Sequence, residues 1–218
     1  MSGAIENQDA QLFIENLEKH NIGSDTDYLV SHLKAIEADS VLDIGFGRGD
    51  LLCKLGKSNK FKTLVGIEKS VELFENAFDD FKDLKIDCIK GDFLKHEFDQ
   101  KFDIIIMSFY LHHLEDYKEH LKKAALLLSS DGVIVIVDRI ARDDQAKEEF
   151  KGYWTAYYKA IHEWHEECPN LLTLKEIGVE MTTYDLKIDD VMFVPNDKRK
   201  GVENFPKTLV KISRRGRK

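Results

Sequence analysis

Apolar positions recur along this chain with two periods, and the switches between them divide it into elements. Leu12, Phe13 and Leu17 fall at helical spacing within Asp9 to His20. Leu29, Val30, Leu33 and Ile36 repeat that spacing after Ser24 and Asp27, a variant capping box. Five short runs then read as strands: Val41 to Ile44, Thr63 to Glu68, Ile86 to Lys90, Asp103 to Ser108 and Val133 to Asp138. The second and fourth are almost continuously apolar, as strands covered on both faces are. The fourth, Asp-Ile-Ile-Ile-Met-Ser, is the most apolar and belongs at the centre of a sheet.

Helical spacing returns between the strands. It covers Asp50 to Leu55, then Val71, Phe74, Phe78 and Phe81 behind a Ser70 cap, then Tyr117, Leu121, Ala124 and Leu128. Gly56 to Lys62 reads as a polar connection and Ser129 to Gly132 as a turn. Strands alternating with helices predict a parallel sheet with right-handed crossovers and helices on both faces.

Beyond Asp138 the pattern loosens. Residues 145–168 predict a helix with Phe150, Trp154, Tyr157, Ile161 and Trp164 on one face and Tyr153, Tyr158 and His165 beside it. Ile188, Val191, Phe193 and Val194 mark a strand, and Thr208 to Ile212 marks another, joined by a polar loop from Pro195 to Pro206. There is no internal repeat and no linker, so one domain is expected.

Composition narrows the partners. With 43% hydrophobic and 33% charged residues the chain reads as a soluble globular protein. It has no run that would span a bilayer and no apolar N-terminal signal, so no membrane partner and a cytoplasmic location are expected. Cys53, Cys88 and Cys168 lack metal or redox spacing and read as thiols of a reducing compartment. A net charge of −8 argues against nucleic acid, and the basic run from Lys207 to Lys218 reads as a solvated terminus. The oligomeric state stays open between monomer and homodimer.

The first strand runs into Gly45-Phe46-Gly47-Arg48-Gly49. A strand that turns at once into a helix needs residues without Cβ, and the helix then offers its free N–H groups to a polar or anionic ligand. Three readings fit such a loop. One is a bare connection. Another is the dinucleotide fingerprint G-x-G-x-x-G, which needs glycine or alanine where Asp50 stands. The third follows from Asp43-x-Gly45-x-Gly47-x-Gly49, which resembles the first motif of the class I, Rossmann-like S-adenosylmethionine-dependent methyltransferases.

Later stretches add to this resemblance. Glu68 ends the second strand about 20 residues beyond the glycines, where a ribose-hydroxyl acceptor belongs. Asp92-Phe93 at the third strand tip matches the family's acid for the adenine amino group and its apolar neighbour on the ring. Leu111-His112-His113-Leu114-x-Asp116 resembles the fourth motif of the small-molecule members.

The resemblance implies an α/β fold with a doubly wound, mostly parallel seven-stranded sheet and one antiparallel strand near the C-terminus. Helices cover both faces, with extra N-terminal helices and a helical cap after the fifth strand. It divides the single domain, 1–218, into N-terminal helices (9–37), a cofactor-binding core (41–138), a cap and substrate region (139–186) and a C-terminal strand pair (187–213). The implied cofactor is S-adenosylmethionine, leaving as S-adenosylhomocysteine. Its implied contacts are Asp43, Gly45, Phe46, Gly47, Gly49, Glu68, Lys69, Asp92, Phe93, Ser108 and Phe109.

Methyl transfer needs alignment and dryness more than a base. His112 and His113 are the candidate proton acceptors, since imidazole titrates near neutrality. Tyr110, Tyr153 and Tyr157 are candidate substrate contacts, and Arg139 or Arg142 would suit a substrate carboxylate or a neighbouring acid. His162 and His165 share a helix face, but lack the H-E-x-x-H spacing and a third ligand, so no metal is assigned. A small organic acceptor is the expected substrate. A protein methyltransferase, a protein binding S-adenosylmethionine for another purpose and an NAD-dependent oxidoreductase are the alternatives.

Overall fold

A computed structural model describes residues 25–161, 170–194 and 207–216, with side chains at all of these except 25, 78–80 and 153–161. The helix expected over 9–20, the Ser24 cap, the His162/His165 pair and the 195–206 loop lie outside the described residues.

The described chain runs α1 (Asp25–Lys34), β1 (Ser40–Ile44), α2 (Asp50–Ser58), β2 (Thr63–Glu68), α3 (Val71–Phe81), β3 (Asp87–Lys90) and β4 (Phe102–Ser108). A 3₁₀ turn (Leu111–His113) leads to α4 (Tyr117–Leu127), β5 (Leu128–Ala141) and α5 (Asp144–Ile161). Then come β6 (Leu172–Thr173), α6 (Leu174–Thr182), β7 (Leu186–Phe193) and β8 (Lys207–Arg214).

The sheet order is β3-β2-β1-β4-β5-β8-β7, with the short β6 beside the end of β5. All pairs are parallel except those of β8, which is antiparallel to both β5 and β7. The most apolar strand is therefore central, as its sequence requires: Ile104, Ile105 and Ile106 are fully buried. Each such side chain contributes about 1.5–3 kcal/mol over an exposed one. Leu29 and Leu33 of α1 and Leu51 and Leu55 of α2 cover one sheet face; Leu121 and Ala124 of α4 and Ile177 and Met181 of α6 cover the other. No helix among the described residues is long and apolar enough to cross a membrane.

Besides the short β6, which the apolar pattern does not mark, three elements differ from the sequence reading. Helix α2 continues to Ser58, past Gly56, where a Cβ would stand 3.2 Å from Ile86 and 3.3 Å from Leu84. The glycine there serves close packing rather than chain reversal. Ser129 to Gly132 is no turn, because β5 already pairs through Leu128 with Phe102. The next pair is Ile104 with Val133, so the extra residues are extruded as an irregularity within one long strand.

Helix α6 is not marked by the apolar spacing. Its start carries a full capping box: Glu176 N–H donates to Thr173 Oγ1 at 3.2 Å and Thr173 N–H donates to Glu176 Oε2 at 2.8 Å. Thr-x-x-Glu ahead of an apolar run is a legible start signal.

Candidate functional site

The strand order reverses between β1 and β4, and polar side chains gather at the C-terminal ends of the strands there. Gly45, Gly47 and Gly49 have φ of 71°, 57° and 77°, all in the left-handed region. They are needed for different reasons. A Cβ on Gly45 would lie 2.4 Å from the Tyr110 ring, and one on Gly49 would lie 2.3 Å from Phe81. A Cβ on Gly47 would meet nothing within 4 Å. Gly45 and Gly49 are packed against; Gly47 faces open space.

Substitution should separate these roles. Gly49→Ala adds overpacking, about 1–3 kcal/mol, to left-handed strain of about 1–2 kcal/mol, so the melting temperature should fall clearly. Gly47→Ala carries only the strain, and its main effect should be on whatever ligand occupies the space above it. Melting curves with and without ligand check this; equal losses of stability would refute the distinction.

Glu68, at the tip of β2, ties the loop down. Its Oε2 accepts from Gly47 N–H at 2.9 Å and its Oε1 from Ser70 N–H at 2.8 Å. Burial raises its pKa, opposed by backbone N–H donors from Ser70, Gly47 and Lys69 and by the charge of His113. Asp43 of β1 is 2% exposed, and its Oδ1 meets no donor among the described residues. Burial, reinforced by the Glu68 charge, raises its pKa to about 7. Two acids thus lie under the loop, one of them with an acceptor atom unsatisfied.

Asp92, just after β3, pairs with Lys69 (Nζ to Oδ2 3.3 Å) and accepts from Leu94 N–H at 2.9 Å. Partial burial works to raise its pKa, but Leu94 N–H and Lys69 outweigh this and hold it low. Phe93 is buried in the core and stacks on His120, with centroids 5.9 Å apart. Tyr110, expected as a substrate contact, lies across Gly45 and edge-on to His120, centroids 5.6 Å apart. Burial, then the charges of Glu68 and Asp92, push its phenol pKa up. Phe46, expected as a cofactor contact, turns its ring into the core against Phe81, 5.6 Å away, and contributes backbone to the loop.

On the other side of the reversal, Ser108 ends β4, and Phe109 follows at φ 50° with its N–H donating to Val137 O at 2.6 Å. The Lys207 ammonium of β8 lies 5.4 Å from the Phe109 ring centroid. The two histidines adopt different settings. His112 Nδ1 is 2.6 Å from Asp138 Oδ1, and its backbone N–H donates to Asp138 Oδ2 at 3.2 Å. The His113 ring packs against it at a tilt of 41°, centroids 3.9 Å apart, and its backbone N–H donates to Tyr110 O at 3.3 Å.

The strand pattern ends its fifth run at Asp138, and the contact of that residue with His112 is visible only in the fold. Arg139 is almost buried, whereas Arg142 is exposed and paired with Asp143 at 3.0 Å. The side chains of Tyr153 and Tyr157 lie outside those described.

Comparison with known proteins extends these observations. A family described as "Methyltransferase domain" matches residues 14–191. An uncharacterized methyltransferase of Bacillus velezensis is 29% identical over 160 residues, 71% of this chain and 74% of its own length. The YcgJ protein of a Bacillus has the same fold at 17% identity and a TM-score of 0.66, covering 88% of this chain and 99% of that one. Magnesium protoporphyrin IX methyltransferase of Synechocystis, solved with SAH bound, superposes with a TM-score of 0.64 at 14% identity, over 98% of this chain and 90% of the other.

Proposed function

Because the chain belongs to the methyltransferase domain family, we propose that it transfers a methyl group from S-adenosylmethionine to a small organic acceptor. The observation that carries this reading is the coupling of Glu68 to the glycine loop. Each carboxylate oxygen of Glu68 has a lone pair beyond the one its backbone donor uses, so the same group can accept from ribose hydroxyls. Asp92 offers an acceptor for the adenine amino group, and the unsatisfied Oδ1 of Asp43 offers one beneath the loop. The open space at Gly47 lets a ligand approach bare backbone. These residues fit an adenosyl ligand with hydroxyl and amino donors.

The cofactor, when bound, supplies an activated methyl group on a cationic sulfur. The protein's part is to align the acceptor with it and keep water out. The net charge of −8 supports a small acceptor rather than a polyanion.

Calorimetry with S-adenosylmethionine, S-adenosylhomocysteine and NAD on the same sample tests the proposal. Binding of both adenosyl ligands, with release of S-adenosylhomocysteine once an acceptor is supplied, is expected. Binding of NAD alone would overturn it.

A further inference from the structure

His112 and Asp138 form a pair that binding the cofactor does not require. Asp138 is 2% exposed and sits at the end of β5, reached by no cofactor contact expected from the sequence. Its carboxylate is held by three donors: Arg139 N–H at 2.8 Å, His112 N–H at 3.2 Å and the His112 ring at 2.6 Å. A further hydrogen bond, from Asn170 N–H to His112 O at 2.8 Å, fixes the turn that carries the ring. The carboxylate thus meets both backbone and ring of one histidine, which sets the ring's orientation as well as its tautomer.

We propose that Asp138 positions His112 as the base of the reaction, and that the acceptor is therefore a phenol or enol that arrives protonated. The inference rests on the methyltransferase reading above. With Nδ1 committed to Asp138, proton acceptance falls to Nε2, and the neutral Nδ1–H tautomer is the one the buried carboxylate selects. His113, whose backbone N–H donates to Tyr110 O, is the neighbour whose ring packs at a tilt against that of His112.

The chemistry of the base selects the acceptor. Imidazole, with an ordinary pKa of about 6.5, can take a proton from a phenol near 10 as methylation proceeds, but not from a simple alcohol. An ammonium acceptor would also need deprotonation, but it would bring a second cation up to the cofactor sulfonium. A neutral hydroxyl meets no such repulsion. The proton passes from the acceptor O–H to His112 Nε2. The oxygen's electron pair forms the new O–CH₃ bond, and the pair of the old S–CH₃ bond stays on sulfur.

Among the described residues, the titratable and charged groups facing His112 include Asp138 on β5, His113 on its own turn and Lys207 across Phe109. Two measurements on the full chain test the assignment. Long-range ¹⁵N NMR at about pH 8 should show His112 protonated at Nδ1 and bare at Nε2, with that preference lost in Asp138→Asn. A structural ion pair would leave both nitrogens protonated. This readout needs no ligand, so it stands even if calorimetry with S-adenosylhomocysteine fails and the methyltransferase reading falls.

With S-adenosylhomocysteine bound, 4-nitrophenol serves as the probe, since its anion is yellow. At about pH 6, its bound phenolate-to-phenol ratio should exceed that of free probe about tenfold, which corresponds to one pKa unit. Asp138→Asn should return it to the free value. His112→Asn should do the same while keeping a side-chain N–H for Asp138, and so the anchored turn. A His112 protonated at Nε2 would overturn the proposal. So would a probe that stays out, or one whose ionisation ignores both substitutions.

Discussion

Replacing Glu68 by alanine is expected to weaken S-adenosylmethionine binding by a hundredfold or more while the chain stays folded. Two losses combine. The hydrogen bonds proposed from the carboxylate to ribose hydroxyls, each about 1.5–3 kcal/mol for a charged acceptor, would disappear. Gly47 N–H and Ser70 N–H also lose the acceptor that fixes them, so the loop no longer presents a set surface. A total of about 3–5 kcal/mol corresponds to a factor of roughly 100 to 1,000 or more. The fold should tolerate the change, because removing a charge from beside Asp43 relieves repulsion there. Calorimetry with circular dichroism checks the pair of statements; unchanged affinity in a folded variant would remove Glu68 from the site.

Asp43→Asn should do the reverse, raising stability and lowering affinity. Asp43 titrates at about 7 in the folded chain, against an ordinary value of 3.8, because burial and Glu68 oppose its charge. Below the lower value both states hold the proton, and the group costs nothing. As pH rises from there to about 7, the unfolded chain releases its proton while the folded chain keeps it, so stability falls; above about 7 the penalty is constant. The variant lacks this titration. Its advantage should be absent near pH 4, grow through the interval, and level off at neutral pH on the order of 2–4 kcal/mol. Chemical denaturation across pH measures it. An advantage that does not depend on pH would mean Asp43 is not the strained group.

The part of the site carried by local sequence was legible. Glycines at alternate positions, an acid at the tip of β2 and Asp92 after β3 each follow from a short stretch and a turn of fixed geometry. Contacts that depend on two distant strands were not. Asp138 and His112 lie 26 residues apart and meet only because β4 and β5 are neighbours. The Tyr110 ring lies on Gly45, a choice of side-chain direction that periodicity does not encode. The Phe46 ring went to the core because α3 brings Phe74 and Phe81 beneath the loop. Helix α6 is a different case: its Thr173 and Glu176 signal was present and short, and the looser apolar pattern around it concealed it.

Strand β8 completes the sheet out of sequence order, entering between β5 and β7. On a ribosome, β5 is made about seventy residues before the partner for its outer edge, and β7 has no neighbour in the main sheet until that partner emerges. The nascent chain therefore holds two open strand edges, each able to pair with another molecule, until synthesis has passed Arg214. A product truncated before Lys207 would retain the glycine loop, Glu68 and the His112–Asp138 pair, yet be prone to aggregate.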